Sequence, residues 1–296
     1  MSKRFFCLCM SPAIDATVKL PAAPTGAGEI FKDVAEEENV GGKGINVARW
    51  LALRGAQVAC GGLLGEDNAA PFVREMAKYG IEDCFVRVPG ATRRNEMITW
   101  PGGSVKLNRS AFPGLADMGG RDVLSIAVDC SRLQSWQHPP ARDVAAAEGS
   151  RVAILSGSLP AAAGVDFYAK AVRHLKAEGW FVALDASGEP MRLALDEHPD
   201  FIKPNADECE ALVGFIPKTP DDFKRATALL REKAAHAIIS DGGAGAWFDG
   251  EFVPAPKVDV VDTTAAGDTL LAEYCHGNDP RWAVAAGSAA CLMPGG

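Results

Sequence analysis

A regular alternation constrains this chain more than any single motif. Short, nearly continuous apolar runs at 58–63, 152–156, 181–185, 201–203 and 237–240 are separated by amphipathic stretches of helical period. Candidate helices span 44–54, 68–79 and 164–178, and each is followed at once by a glycine, the usual terminator: Gly55, Gly80 and Gly179. Apolar runs of this kind belong to strands buried on both faces. The alternation therefore predicts an α/β fold, in which crossovers build a central, mostly parallel sheet flanked by helices. Ligands of such sheets bind beyond the carboxyl ends of the strands.

Two segments break the pattern. Residues 16–39 and 91–110 carry β-type patches between Pro and Gly turns and lack helical periodicity, which predicts a small second sheet made by two insertions. With no low-complexity linker between the parts, the whole of 1–296 reads as one domain with a hinged β-lid. The opening Lys3-Arg4 and the apolar run Phe5 to Met10 are too short for a leader and end in Ser11-Pro12, so they read as a buried strand. From 115 to 148 the pattern weakens to a helix around 123–133 plus loop.

A net charge of -8 and a pI near 5.2 exclude a nucleic-acid partner, which requires a basic face. No apolar stretch is long enough to cross a membrane. The eight cysteines, Cys60, Cys130 and Cys291 among them, show neither zinc nor redox spacing, and they read as reduced core thiols of a cytoplasmic protein. The five histidines form no catalytic pairing, and Gly157-Ser158 lacks a nucleophile elbow.

The chemistry lies in two segments of small, turn-forming residues, each running into a helix: Gly41-Gly42-Lys43-Gly44-Ile45-Asn46 and Asp262-Thr263-Thr264-Ala265-Ala266-Gly267-Asp268. Each presents backbone amides and a positive helix end to an anion. Asp268 has the chemistry to accept a proton from a hydroxyl facing bound phosphates; taken alone, it is equally an acidic residue complementing a helix dipole. Lys43 stands at a helix start, where cations are disfavoured, which points to an anion nearby. Asn205 and Glu208 are spaced either to orient the shell of a hydrated Mg²⁺ or to cap a helix.

These segments belong to an ordered set: Pro12-Ala13-Ile14-Asp15, the Gly-Gly-Lys-Gly run, Thr92-Arg93 with Asn95, Leu107-Asn108, Ser156 to Pro160, Leu184 to Glu189, Lys203-Pro204-Asn205 with Glu208, and the run ending at Asp268. The set resembles the ribokinase-like (pfkB-type) carbohydrate kinases, in the phosphosugar branch of 1-phosphofructokinase and tagatose-6-phosphate kinase. The resemblance implies a cytoplasmic, ATP- and Mg²⁺-dependent kinase of a phosphorylated ketohexose. Fructose 1-phosphate leads, followed by tagatose 6-phosphate and fructose 6-phosphate.

Carried over residue by residue, it makes Asp268 the base and the amides of Ala266, Gly267 and Asp268 the anion hole. Asp15, Gly41, Gly42, Lys43, Asn46 and Arg93 would hold the sugar phosphate. Asn205, Ser240, Gly242 and Ala265 would hold the nucleotide, and Asn205 with Glu208 the Mg²⁺, mostly through water. A homodimer through the lid sheet is also implied.

The chain departs from the resembled pattern at five residues. Ala265 replaces a glycine, and Met97 a lysine. Lys106 and Arg109 stand where acidic residues flank Leu-Asn, and Ser11 stands where Asn precedes Pro-Ala. Two other readings stay open on sequence: a kinase of an unphosphorylated sugar or nucleoside, and a binding protein whose chemistry Ala265 impairs.

Overall fold

The computed structural model describes residues 3–112, 150–277 and 279–292; the expected helix at 123–133, with Cys130 and His138, lies outside them. The strands, in chain order, are β1 (Arg4–Cys9), β2 (Ala13–Lys19), β3 (Ala35–Gly41), β4 (Gln57–Gly65), β5 (Glu82–Val88), β6 (Arg94–Trp100) and β7 (Gly103–Leu107). They continue as β8 (Arg151–Ser156), β9 (Phe181–Asp185), β10 (Phe201–Ile202), β11 (His236–Ser240), β12 (Gly245–Phe248) and β13 (Glu251–Pro254).

Nine of these form one sheet in the order β13-β12-β11-β10-β9-β8-β1-β4-β5. From β5 to β11 every pairing is parallel; β12 and β13 add an antiparallel edge. The sidedness of β1 shows why its sequence is continuously apolar. Phe6, Leu8 and Met10 enter one core, Phe5, Cys7 and Cys9 the other, and all are essentially fully buried. Each large side chain so buried contributes about 1.5–3 kcal/mol relative to exposure.

Helices α1 (Lys43–Leu53), α2 (Ala70–Tyr79), α7 (Ala266–Gly277) and α8 (Pro280–Ala290) cover the face that holds Phe5. The opposite face carries α3 (Phe167–Ala177), α4 (Gly188–Leu195), α5 (Cys209–Val213) and α6 (Pro220–Arg231). The α3 helix starts three residues later than its periodicity predicts, because Gly164 has φ 76 and closes a short 3₁₀ turn at Ala161–Ala163. Positive φ is incompatible with a helical interior.

A separate four-stranded sheet, β3-β2-β6-β7, is made by the two predicted insertions. β2 pairs parallel with β6 and antiparallel with β3, so the lid takes one hairpin edge from each insertion. The acidic run Glu36 to Glu38 is exposed on β3, where Arg94 bridges Glu36 and Glu38 and Lys19 pairs with Glu37. Among the described residues, no helix is long and apolar enough to cross a membrane.

Candidate active site

On the lid side, β3 ends in Gly41 and α1 begins at Lys43, so Gly42 makes the turn, with φ 122. A Cβ on Gly42 would lie 2.8 Å from Cys9 Sγ and 3.1 Å from Pro12 Cα, which is how closely the turn crosses the end of β1. A Cβ on Gly41 would overlap Asp15 Oδ2. Bare backbone therefore leaves that carboxylate oxygen accessible. The other oxygen of Asp15 accepts a 2.8 Å bond from Asn95 Nδ2, and Asn95 Oδ1 accepts from the Arg109 amide at 3.1 Å. Asp15 is thus held on the inner face of the lid by a buried amide.

From the other end of the chain, residues 262–265 turn into α7. Asp262 Oδ1 accepts from Thr264 N at 2.9 Å and Thr264 Oγ1 at 2.7 Å. Ala265 has φ 63, in the left-handed region that favours glycine. Its carbonyl accepts from Thr269 N at 2.8 Å, the first regular turn of α7. The Gly267 and Asp268 amides come before that turn and belong to the helix end that lacks partners within the helix. Ala266 N is turned to Thr263 O at 3.4 Å.

Asp268 joins the two halves. Its side chain is 5% exposed, and its Oδ2 accepts a 2.9 Å bond from Asn46 Nδ2 on α1. Burial, reinforced by the nearby Asp185 carboxylate, pushes its pKa up to about 6. A second rung fixes the same helix pair: Glu273 on α7, almost fully buried, accepts from Trp50 Nε1 at 2.9 Å and pairs with Arg54 Nε at 3.0 Å.

Two residues given no role from sequence lie at the centre. Asp185, at the end of β9, is 1% exposed and receives both Lys203 Nζ and Lys43 Nζ at 3.3 Å. Burial works against the charge of Lys43, but Asp185, Asp268 and Glu208 outweigh it and raise its pKa. Lys203 follows β10 and lies against the start of α7: a Cβ on Gly267 would be 3.4 Å from its ammonium. The available signal was a charged residue at the carboxyl end of an apolar strand, in Leu184-Asp185 and in Lys203-Pro204.

Arg93 lines the same space but is not a free fork. Its nitrogens donate to the carbonyls of Ser11 (3.0 Å), Pro12 (3.4 Å) and Arg109 (3.0 Å), tying the β1 loop to the lid. Asn205 and Glu208 cap each other's backbone reciprocally, Asn205 N to Glu208 Oε2 at 2.9 Å and Glu208 N to Asn205 Oδ1 at 2.8 Å. Asn205 bridges to Ser240 at the end of β11, and Gly242 forms a short 3₁₀ turn beyond it.

A cleft of about 640 Å³ gathers most of the predicted residues: Asp15, Gly42, Lys43, Asn46, Arg93, Asn205, Glu208, Ser240, Ala265, Gly267 and Asp268, together with Asp185 and Lys203. Gly41 borders the adjoining recess beneath the lid instead, while Ala266 and Gly242 border neither cavity. The cleft thus joins the buried carboxylate of Asp268, three lysines (Lys43, Lys106 and Lys203), a helix N-terminus and a lid that carries the Asp15 carboxylate.

Comparison with known proteins shows the family and the fold. The model of the pfkB family carbohydrate kinases matches residues 9–99 and 125–292. The chain belongs to the pfkB family of carbohydrate kinases. Among curated relatives of this sugar kinase, the 1-phosphofructokinase of Rhodobacter capsulatus is 34% identical over 284 residues, 93% of this chain and 84% of that protein. The 1-phosphofructokinase of Escherichia coli (strain K12) is 30% identical over 283 residues, 94% and 85% respectively. In fold, this carbohydrate kinase superposes on the Escherichia coli phosphofructokinase-2 solved with fructose-6-phosphate, at TM-score 0.80 and 24% identity, covering 99% of this chain and 94% of that one. The ribokinase-like architecture expected from sequence is therefore the observed one. Family membership implies ATP as co-substrate.

Proposed function

We propose that this kinase transfers the γ-phosphoryl group of ATP to a hydroxyl of a phosphorylated ketohexose. Fructose 1-phosphate is the first candidate, supported by the 1-phosphofructokinase relatives, followed by tagatose 6-phosphate and fructose 6-phosphate. The observation that carries the reading is the Asn46–Asp268 bond. It places a buried carboxylate at the phosphate-binding end of α7, within reach of the glycine-lined acceptor segment.

Asn46 holds Oδ2 of Asp268, which leaves Oδ1 for the acceptor hydroxyl. That hydroxyl gives its proton to Asp268 as its oxygen bonds to the γ-phosphorus, while the bond from the γ-phosphorus to the ADP oxygen breaks. The Gly267 and Asp268 amides and the Lys203 ammonium face the charge that develops on the phosphoryl oxygens. Asp15 orients sugar hydroxyls, and Lys43 and Arg93 supply positive charge on the acceptor side. Asn205, Ser240 and Ala265 border the nucleotide, with the Gly242 turn beyond them.

Mg²⁺ fits here only as a hydrated ion. Among the described residues no group of three metal-ligating side chains exists, and Asn205 Oδ1 and Glu208 Oε2 already cap backbone amides. Mg²⁺ keeps several waters and binds substrate phosphates, so Glu208 and Asn205 would hold it through water, where it would neutralise phosphate charge. Ala265 already adopts the conformation a glycine would take, which favours an active enzyme over an impaired binding protein.

The proposal includes a homodimer through the lid. Val18, Ile98 and Val105 pair in one row on the face turned away from Asp15, and Val105 is 43% exposed. A solved Escherichia coli phosphofructokinase-2 is described as tetrameric. Cytoplasmic residence is supported by the thiols: burial holds Cys9 at about 11 and Cys275 at about 12, so they are inert. The deciding assay is ADP release with Mg²⁺-ATP across a panel of ketohexose phosphates, free sugars and nucleosides, using wild type and Asp268→Asn. Turnover with free sugars or nucleosides alone would transfer the chain to the unphosphorylated-acceptor class.

A further inference from the structure

The inner face of the lid is ordered in rows. Asp15 lies beside Asn95 in one row; in the next, Thr17 lies beside Met97 and Met97 directly opposite Lys106 on β7. Residues directly opposite in an antiparallel pair project to the same face. Lys106 therefore shares the face of Asp15, and it borders both the catalytic cleft and the recess of about 870 Å³ that continues from it beneath the lid.

The other cations that border the catalytic cleft are engaged. Lys43 and Lys203 share Asp185, and Arg93 donates to three carbonyls. In the adjoining recess Lys19 pairs with Glu37 and Arg49 with Glu75. Lys106, exposed on its strand, has no carboxylate partner among the described residues. Its cross-strand neighbour Met97 stands where the resembled pattern has a lysine, so the positive charge of this row has moved one strand across the lid.

An acceptor whose reacting hydroxyl faces Asp268 and whose other hydroxyls face Asp15 must keep its own phosphate away from both carboxylates. The open, uncompensated ammonium of the next row meets that need. We propose that Lys106 binds the phosphate the acceptor already carries, and so sets the preference for phosphorylated over unphosphorylated sugar. This rests on the phosphosugar reading above and names a further specificity residue for it.

The test compares kcat/KM for fructose 1-phosphate and fructose, with Mg²⁺-ATP, in wild type, Lys106→Met, Lys106→Arg and the reciprocal double variant Met97→Lys/Lys106→Met. A charged hydrogen bond made in ground and transition states alike is read mainly in KM. Lys106→Met should lower the preference for the phosphorylated sugar about 10- to 100-fold, chiefly through its KM. Lys106→Arg should stay within a few-fold of wild type, and the double variant should recover most of the preference by returning the charge to its neighbour strand. An unchanged preference in Lys106→Met overturns the proposal, as does an equal loss with both sugars or a double variant no better than Lys106→Met. A wild type with no preference for any phosphorylated acceptor overturns the underlying reading itself, and this is seen before any variant is made.

Discussion

Replacing Ala265 with glycine separates strain from function at the turn that starts α7. Ala265 sits at φ 63, and for an L-residue the left-handed region costs roughly 1–2 kcal/mol. Glycine removes that cost but adds freedom to the unfolded chain, worth about 0.5–1 kcal/mol. Ala265→Gly should therefore stabilise the fold by about 0.5–1 kcal/mol, which moves Tm by only about 1–3 °C in a chain of this size. Turnover should change less than about threefold, because α7 is already properly started: Thr269 N reaches Ala265 O at 2.8 Å. A β-branched residue in the same conformation is worse than alanine, so Ala265→Val should cost about 1–3 kcal/mol. Urea unfolding of the three proteins, with kcat measured on the same preparations, checks all of this. Destabilisation by Ala265→Gly beyond about 0.5 kcal/mol would refute the strain argument, and a tenfold rise in kcat would show that alanine distorts the anion hole as well.

Asp268→Asn should lower kcat at least ~10²-fold while ATP binding, followed by calorimetry, stays within a few-fold; near-normal kcat would remove Asp268 from the mechanism. The acid limb of kcat/KM should fall near pH 6, the value to which burial and Asp185 raise Asp268, and Asn46→Leu, which removes a bond favouring the charged form, should shift that limb upward. A wild-type limb near pH 4 would contradict this. The same shift fixes the sign for stability: the raised pKa favours the fold below about pH 4, and that contribution is lost as pH rises through about 6. Asp268→Asn should thus gain about 2–3 kcal/mol on wild type between pH 4 and pH 8, read from urea unfolding at both pH values. Gly41→Ala should raise the acceptor KM tenfold or more at unchanged ATP KM, since its Cβ overlaps Asp15 Oδ2; an unaltered KM would show that Asp15 does not touch the sugar.

How far the sequence carries can be argued from particular residues. The central strands are legible because burial on both faces makes them continuously apolar, and Phe5 and Phe6 entering opposite cores is the physical content of that pattern. The helix stops are legible because their glycines act locally. The start of α3 is less so, since Gly164, a helix-compatible letter, adopts a positive φ. At the site, the two small-residue segments could be read singly, but the bond that makes them one site spans Asn46 and Asp268, 222 residues apart. No local period encodes that distance. It is set by the packing of α1 on α7, where Glu273 takes Trp50 and Arg54 one to two turns beyond Asn46. Asp185 with its two lysines is a long-range arrangement of the same kind: each member has a strand-end signal of its own, but only the order β10-β9-β8-β1 brings Lys203, Asp185 and Lys43 together.

Glu273 is therefore expected to bear on catalysis without touching substrate. A buried carboxylate that loses its partners is costly, and replacing the carboxylate by leucine strands Trp50 Nε1 and Arg54 instead, for about 1–3 kcal/mol of stability. If the Trp50–Glu273 rung holds α1 in register, Glu273→Leu should also loosen the Asn46–Asp268 bond. Asp268 would then lose a contact that favours its charged form, and the acid limb of kcat/KM should move to higher pH as it does in Asn46→Leu. A purely structural role predicts lower stability with the limb unmoved. Glu273→Gln, which can still accept from Trp50, should keep the limb in place and separate the hydrogen bond from the charge.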